Sequence, residues 1–121
     1  MVPRHISHHA QLVADFIESA ETRDPAIEQE IKDLATYFSN KDDAELRLYK
    51  QDRMIELRKE QIERWTIIIE DGTKLSIRLD DAGNPVEARK MRQKIAEYEA
   101  RLSLGEEDLK NRQDVRGKHM P

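Results

Sequence analysis

Three histidines near the start of the chain, His5, His8 and His9, are its only grouped side chains of the type that ligates transition metals. His5 and His9 stand one helical turn apart, so a helix would bring both imidazoles to one face of a zinc or nickel ion. No acidic residue stands at a ligand spacing beside them, and the group lies at a fraying chain end. The expectation is a solvated terminus and no metal site. Cysteine is absent, which excludes disulfides and thiolate metal centres.

The carboxylates group as Asp42-Asp43, Asp80-Asp81 and Glu106-Glu107. Each pair falls at an expected helix end, where capping and the helix dipole account for it. The chain carries no glycine-rich phosphate loop, no nucleophile elbow and no His-Glu-x-x-His helix. No catalytic residue and no cofactor site is therefore assigned, and a non-enzymatic protein is expected.

Basic residues recur as Arg47, Lys50, Arg53, Arg58, Lys59 and Arg64, and again as Arg89, Lys90, Arg92, Lys94 and Arg101. Glutamates and aspartates are interleaved with them at spacings of three or four, the spacing of intrahelical ion pairs. The formal net charge is −4. Phosphate recognition needs a concentrated positive face. A solvated, ion-paired surface is the better account, and nucleic acid is not the expected main partner. A nucleic-acid-associated regulator using these basic residues is the alternative function.

The 121 residues are 38% charged and 37% hydrophobic, with one Trp, three Tyr and two Phe. That balance is too charged for a thick globular core, and its apolar residues are too regularly spaced for a disordered chain. Amphipathic helices with narrow, coiled-coil-like seams fit it. No apolar run approaches the ~18 residues of a membrane span. A soluble cytoplasmic protein is expected, without membrane or small-molecule partners.

Apolar periodicity places a first helix over 5–22, through Ile6, Ala10, Val13, Ile17 and Ala20. Arg23-Asp24-Pro25 then reads as a break, with Asp24 as cap and Pro25 in the first turn of a second helix over 25–39. So short a connection would make these two helices an antiparallel pair. A third helix over 43–82 carries two apolar faces. One holds Ala44, Leu48, Ile55, Ile62 and Ile69; the other holds Leu46, Met54, Leu57, Trp65, Ile68, Leu75, Leu79 and Ala82. A fourth follows over 85–112. Residues 1–4 and 113–121 read as flexible ends of one helical domain.

Trp65 to Leu79 is the contested stretch. Its isoleucines and threonines favour strand, and Asp71-Gly72 is a hairpin signal, so a β-hairpin over 65–79 is the alternative. Helical spacing weighs more. Trp65, Ile68, Gly72, Leu75, Leu79 and Ala82 are spaced three, four, three, four and three, and Ala88, Met91, Ile95, Tyr98, Leu102 and Gly105 repeat those intervals. Folding the chain back at Pro85 sets Gly72 opposite Tyr98 and Trp65 opposite Gly105, so a large side chain meets a glycine twice. Gly83, Asn84, Pro85 and Glu87 supply the C-terminal glycine, the N-cap and a capping box for that turn. The stretch from Leu79 to Ala88 is similar to the inter-helix turn of tetratricopeptide repeats. No second copy follows at a repeat period, so the likeness reflects the chemistry of a tight helix–helix turn.

The sequence therefore predicts an all-α protein: a short antiparallel helix pair, then a long antiparallel helical hairpin. With the fourth helix packed along Trp65 to Ala82, the surface left for partners is Leu46, Leu48, Met54, Ile55, Leu57, Ile62 and Trp65. A protein–protein interaction or assembly module, acting on another copy or another chain, is the expected function.

Overall fold

The computed structural model describes residues 4–36 and 44–118, with the side chains of 4–6 outside that description. It contains three α-helices: α1 Arg4–Thr36, α2 Ala44–Asp81 and α3 Pro85–Lys118. The all-α class holds, and no strand forms among the described residues. Trp65 to Leu79 is continuous helix, so the β-hairpin is not formed.

Helix α2 is the spine. It packs against α1 on one flank and α3 on the other, while the backbones of α1 and α3 do not approach each other. Three apolar clusters follow one another along it. Val13, Leu75, Leu79 and Ala88 pack at the turn end. Ala20, Trp65, Ile68 and Tyr98 form the middle. Ile27, Ile31, Met54 and Leu57 close the far end.

The expected break at Pro25 is absent, and with it the short antiparallel pair: α1 runs through the proline. An interior proline costs roughly 3 kcal/mol through its missing N–H and the clash with the preceding turn. Continuity offsets this by keeping both halves of α1 on α2. Val13, Ala20 and Ile27 recur at sevens, with Ile31 one turn further, and only an unbroken helix lays all four along one partner. The expected helix positions 37–39, together with Asp42 and Asp43, lie outside the described residues.

The α2–α3 turn forms as its chemistry predicts. Gly83 has φ +79°, its N–H donates to the Asp80 carbonyl at 3.0 Å, and the Asn84 N–H donates to the Leu79 carbonyl at 2.8 Å. That pair of bonds is a Schellman closure, which needs the left-handed residue that glycine tolerates. Beyond the expected end at residue 112, α3 continues through 113–118 as helix. Arg112 and Arg116 anchor this extension. The Arg112 guanidinium lies 3.1 Å from Met54 Sδ, and Arg116 Nε donates to Asp52 Oδ1 at 2.7 Å.

The two glycines of the hairpin behave differently. A Cβ at Gly105 would stand 2.8 Å from Trp65 Cζ3, so the expected Trp65–Gly105 contact is present and tight. Gly72 does not meet Tyr98; a Cβ there would stand 3.1 Å from Ile95 Cγ1 and 3.6 Å from Met91 Sδ. An antiparallel knob falls between two residues of its partner, and Gly72 falls between Met91 and Ile95. Each Gly→Ala change gains about 1 kcal/mol of helix propensity. At Gly105 the rigid indole cannot give way, and overpacking costs about 1–3 kcal/mol. Gly105→Ala should therefore destabilise the protein, and Gly72→Ala should be near neutral because the Ile95 and Met91 side chains can rotate. Urea midpoints compare them, and equal effects would contradict this packing.

Candidate functional site

Between the middle and far clusters the seam of α2 turns polar. Arg58 is 8% exposed and Gln61 has no exposed surface. The guanidinium of Arg58 spans all three helices. Its Nη1 bonds Glu28 of α1 and donates to Gln61 Oε1 at 2.8 Å, and its Nε donates to Asp108 Oδ2 of α3 at 2.8 Å. Gln61 Nε2 in turn donates to Glu28 Oε1 at 3.1 Å and faces Asp24 Oδ1 at 3.4 Å. Trp65 Nε1 donates to Asp24 Oδ2 at 2.9 Å. Asp24, expected as a helix cap, is thus the acceptor that accommodates the indole N–H.

Further pairs reinforce the layer. Arg23 Nε donates to Glu60 Oε2 at 3.0 Å, and Arg112 Nε to Asp108 Oδ2 at 2.7 Å. Burial alone would lower the affinity of the Arg58 guanidinium for its proton, but bonds to Glu28 and Asp108 outweigh it and hold the group above its ordinary range. Burial likewise pushes the Asp108 carboxyl up, and Arg112 and Arg58 more than reverse this, leaving it below the usual carboxylate range. Glu60 behaves the same way, with burial opposed by Arg23 and Arg64.

The residues expected at an interface divide into two groups. Met54, Leu57 and Trp65 are buried inside the molecule, the first two against Ile27 and Ile31 of α1 and the third against Ala20 and Tyr98. They are enclosed because α1 continues past Pro25 and lies along the half of α2 that a broken helix would have left bare. Leu48, Ile55 and Ile62 are half-buried, and Leu46 is 41% exposed. Ile62 lies beside Gly105 of α3.

The basic residues also have a different role from the expected intrahelical pairing alone. Arg53 reaches Glu30, Arg92 reaches Asp80 and Lys94 reaches Glu21, each across a helix boundary. His8 is exposed with its ring 5.9 Å from that of His9, and the His5 side chain lies outside the described atoms. Among the described residues no group of three or more side chains is placed to hold a metal ion, and no helix is long and apolar enough to cross a membrane.

Sequence reasoning missed Arg58, Gln61, Asp24 and Asp108. The signal was present: the seam from Leu79 back to Trp65 continues at the same three–four spacing through Gln61, Arg58, Met54 and Gln51. Counting apolar residues alone passes over Gln61, Arg58 and Gln51, which share that seam with Met54.

Removing a buried ionic partner leaves its mates unpaired. Arg58→Ala should cost about 3 kcal/mol, the lower end of the range for such deletions because Glu28 and Asp108 retain some water contact. Arg58→Met, which keeps the packing volume, should cost less by about 1 kcal/mol or more. Equal losses in urea denaturation would show that the charge and its bonds, and not the packing of the side chain, hold the layer. The lowered Asp108 and Glu60 carboxyls contribute stability that is complete above the unfolded carboxylate value of about 4 and is lost as pH falls through their folded values. Urea midpoints should be flat from neutral pH to about 5 and then fall. Asp108→Asn should flatten that fall, and an unchanged acid limb would rule out the contribution of Asp108.

No protein-family model matches this chain, and comparison with curated proteins and with solved structures found no match.

Proposed function

We propose that this protein is a non-enzymatic helical interaction or assembly module that buries leftover apolar helix surface against a second copy or another protein. The observation that carries this is a stripe on α3. Val86, Leu104 and Val115 are 60%, 70% and 44% exposed. They are spaced by eighteen and eleven residues, five and three whole helical turns, so they share one edge of the helix. Neither α1 nor α2 covers that edge. The surface proposed here is thus not the one expected on α2, where α1 encloses Met54 and Leu57, but an edge of α3 whose Leu104 borders an open cleft between α1 and α3 and whose Val115 lines a groove with Ala35 and Met54. Isolated exposed apolar residues are ordinary, but aligned ones form the anchors of helix-in-groove recognition.

Sedimentation over a wide concentration range tests this. The expected mass exceeds the 14.2 kDa of one chain, or a partner co-sediments, and Leu104→Glu reduces the association. Leu104 is exposed enough that the change should alter folding stability by no more than about 0.5 kcal/mol. A monodisperse monomer that binds no apolar dye, alike in the wild type and the variant, would count heavily against an assembly role.

A further inference from the structure

Among the described residues α1 meets the backbone of α2 alone, and an open cleft separates it from α3. Helices α2 and α3, by contrast, are tied together from one end to the other. The closure at Gly83 joins them, Arg92 reaches Asp80 beside it at 2.7 Å, and Gly72 takes Ile95 further along. Beyond these, Trp65 stands against Gly105, Arg58 bonds Asp108, and Arg116 bonds Asp52 near the far end. None of these contacts uses a residue of α1. A hairpin without α1 keeps all of them, including a carboxylate for Arg58.

Helix α1 is held on different terms. Its buried apolar residues Val13, Ala20, Ile27 and Ile31 form one face against the spine. The ion pairs around that face, Glu21 with Lys94, Arg23 with Glu60 and Glu30 with Arg53, are partly exposed, and such pairs contribute little. Pro25 removes one internal hydrogen bond from the middle of the helix. The straightness of α1 therefore depends on its docking, and the two are lost together. Asp24 and Glu28 stand on either side of Pro25, and both face the Gln61 amide, at 3.4 and 3.1 Å. That shared fastening couples the two halves of the helix.

We propose that α1 is a strap that opens as one unit from an α2–α3 hairpin that stays folded, uncovering Met54, Leu57 and Trp65. The open form is a minor population of the native protein, reached without global unfolding. These three residues are among those that the sequence marks for an interface, and the closed strap is what hides them. The strap stands independently of the assembly role, since it needs neither a second copy nor the exposed edge of α3.

Hydrogen exchange of the full chain in increasing, sub-denaturing urea tests this. The amides of α1 from Val13 to Ile31 should converge on a single opening on both sides of Pro25. That opening should be populated at least about tenfold more than the one that exposes the amides of Ile68 to Leu79 and of Ile95 to Tyr98. Two conservative variants separate the steps. Ile95→Val, facing Gly72 within the hairpin, should raise exchange of the hairpin amides by about two- to tenfold and leave α1 unmoved. Ile31→Val, on the strap, should raise both openings by the same factor, because the hairpin unfolds only after α1 has left. One opening shared by all three helices, separate openings for the two halves of α1, or a response of α1 to Ile95→Val would each overturn the proposal.

Discussion

A guanidinium that is almost out of water must find carboxylates, and Arg58 finds one on each neighbouring helix. Leaving a buried charge unpaired costs several kcal/mol, more than most local preferences of a chain. Two departures from local preference follow from it. To bring Glu28 to Arg58, α1 has to remain helical through Pro25. To bring Asp108, α3 has to remain helical past Gly105. Proline and glycine are the residues at which each helix had most reason to stop, and each lies in the wall of the cleft beside the polar layer. The long-range pairing and the apolar clusters on either side of it outweigh the local costs.

Trp65 couples the same three helices by different physics. One end of its ring system stands against the Gly105 backbone, where any side chain would collide with Cζ3. The other end donates its N–H to Asp24 on α1. The indole thus fixes the distance from α2 to α3 by steric contact and the position of α1 by a hydrogen bond. Because α1 and α3 touch this ring from opposite sides without touching each other's backbone, the space between them stays open as the cleft.

What could be read from the sequence followed from periodicity and turn chemistry. The helical nature of Trp65 to Leu79, the hairpin about Pro85 and the meeting of Trp65 with Gly105 were all legible, because apolar spacing and residue size encode them directly. The course of α1 was not. Asp24-Pro25 carries a strong local signal for a break, and the contacts that override it, Ile27 and Ile31 on Met54 and Leu57, are far apart in sequence. The same oversight made Met54 and Leu57 look like free surface. The polar layer was hidden for another reason: Gln51, Arg58 and Gln61 occupy inward positions in perfect register with the apolar seam, but their side chains resemble those of a solvated face.

Register is the property that such a layer can supply and the apolar clusters cannot. Val13, Ala20, Ile27 and Leu34 recur at sevens, so sliding α1 by one heptad would exchange one small apolar residue for another at modest cost. The polar positions do not tolerate the slide. Moving α1 by seven in either direction brings Ile17 or Ile31 to the place of Asp24 and strands the indole N–H. Moving α3 by seven sets Arg101 or Val115 against Arg58 where Asp108 belongs, and sets Tyr98 or Arg112 against Trp65 where only glycine fits. Each wrong register leaves a buried polar group unsatisfied or a ring in collision, and each such fault costs on the order of 1–3 kcal/mol or more. The apolar residues therefore hold the three helices together, and Asp24, Arg58, Trp65, Gly105 and Asp108 determine the single alignment in which they do so.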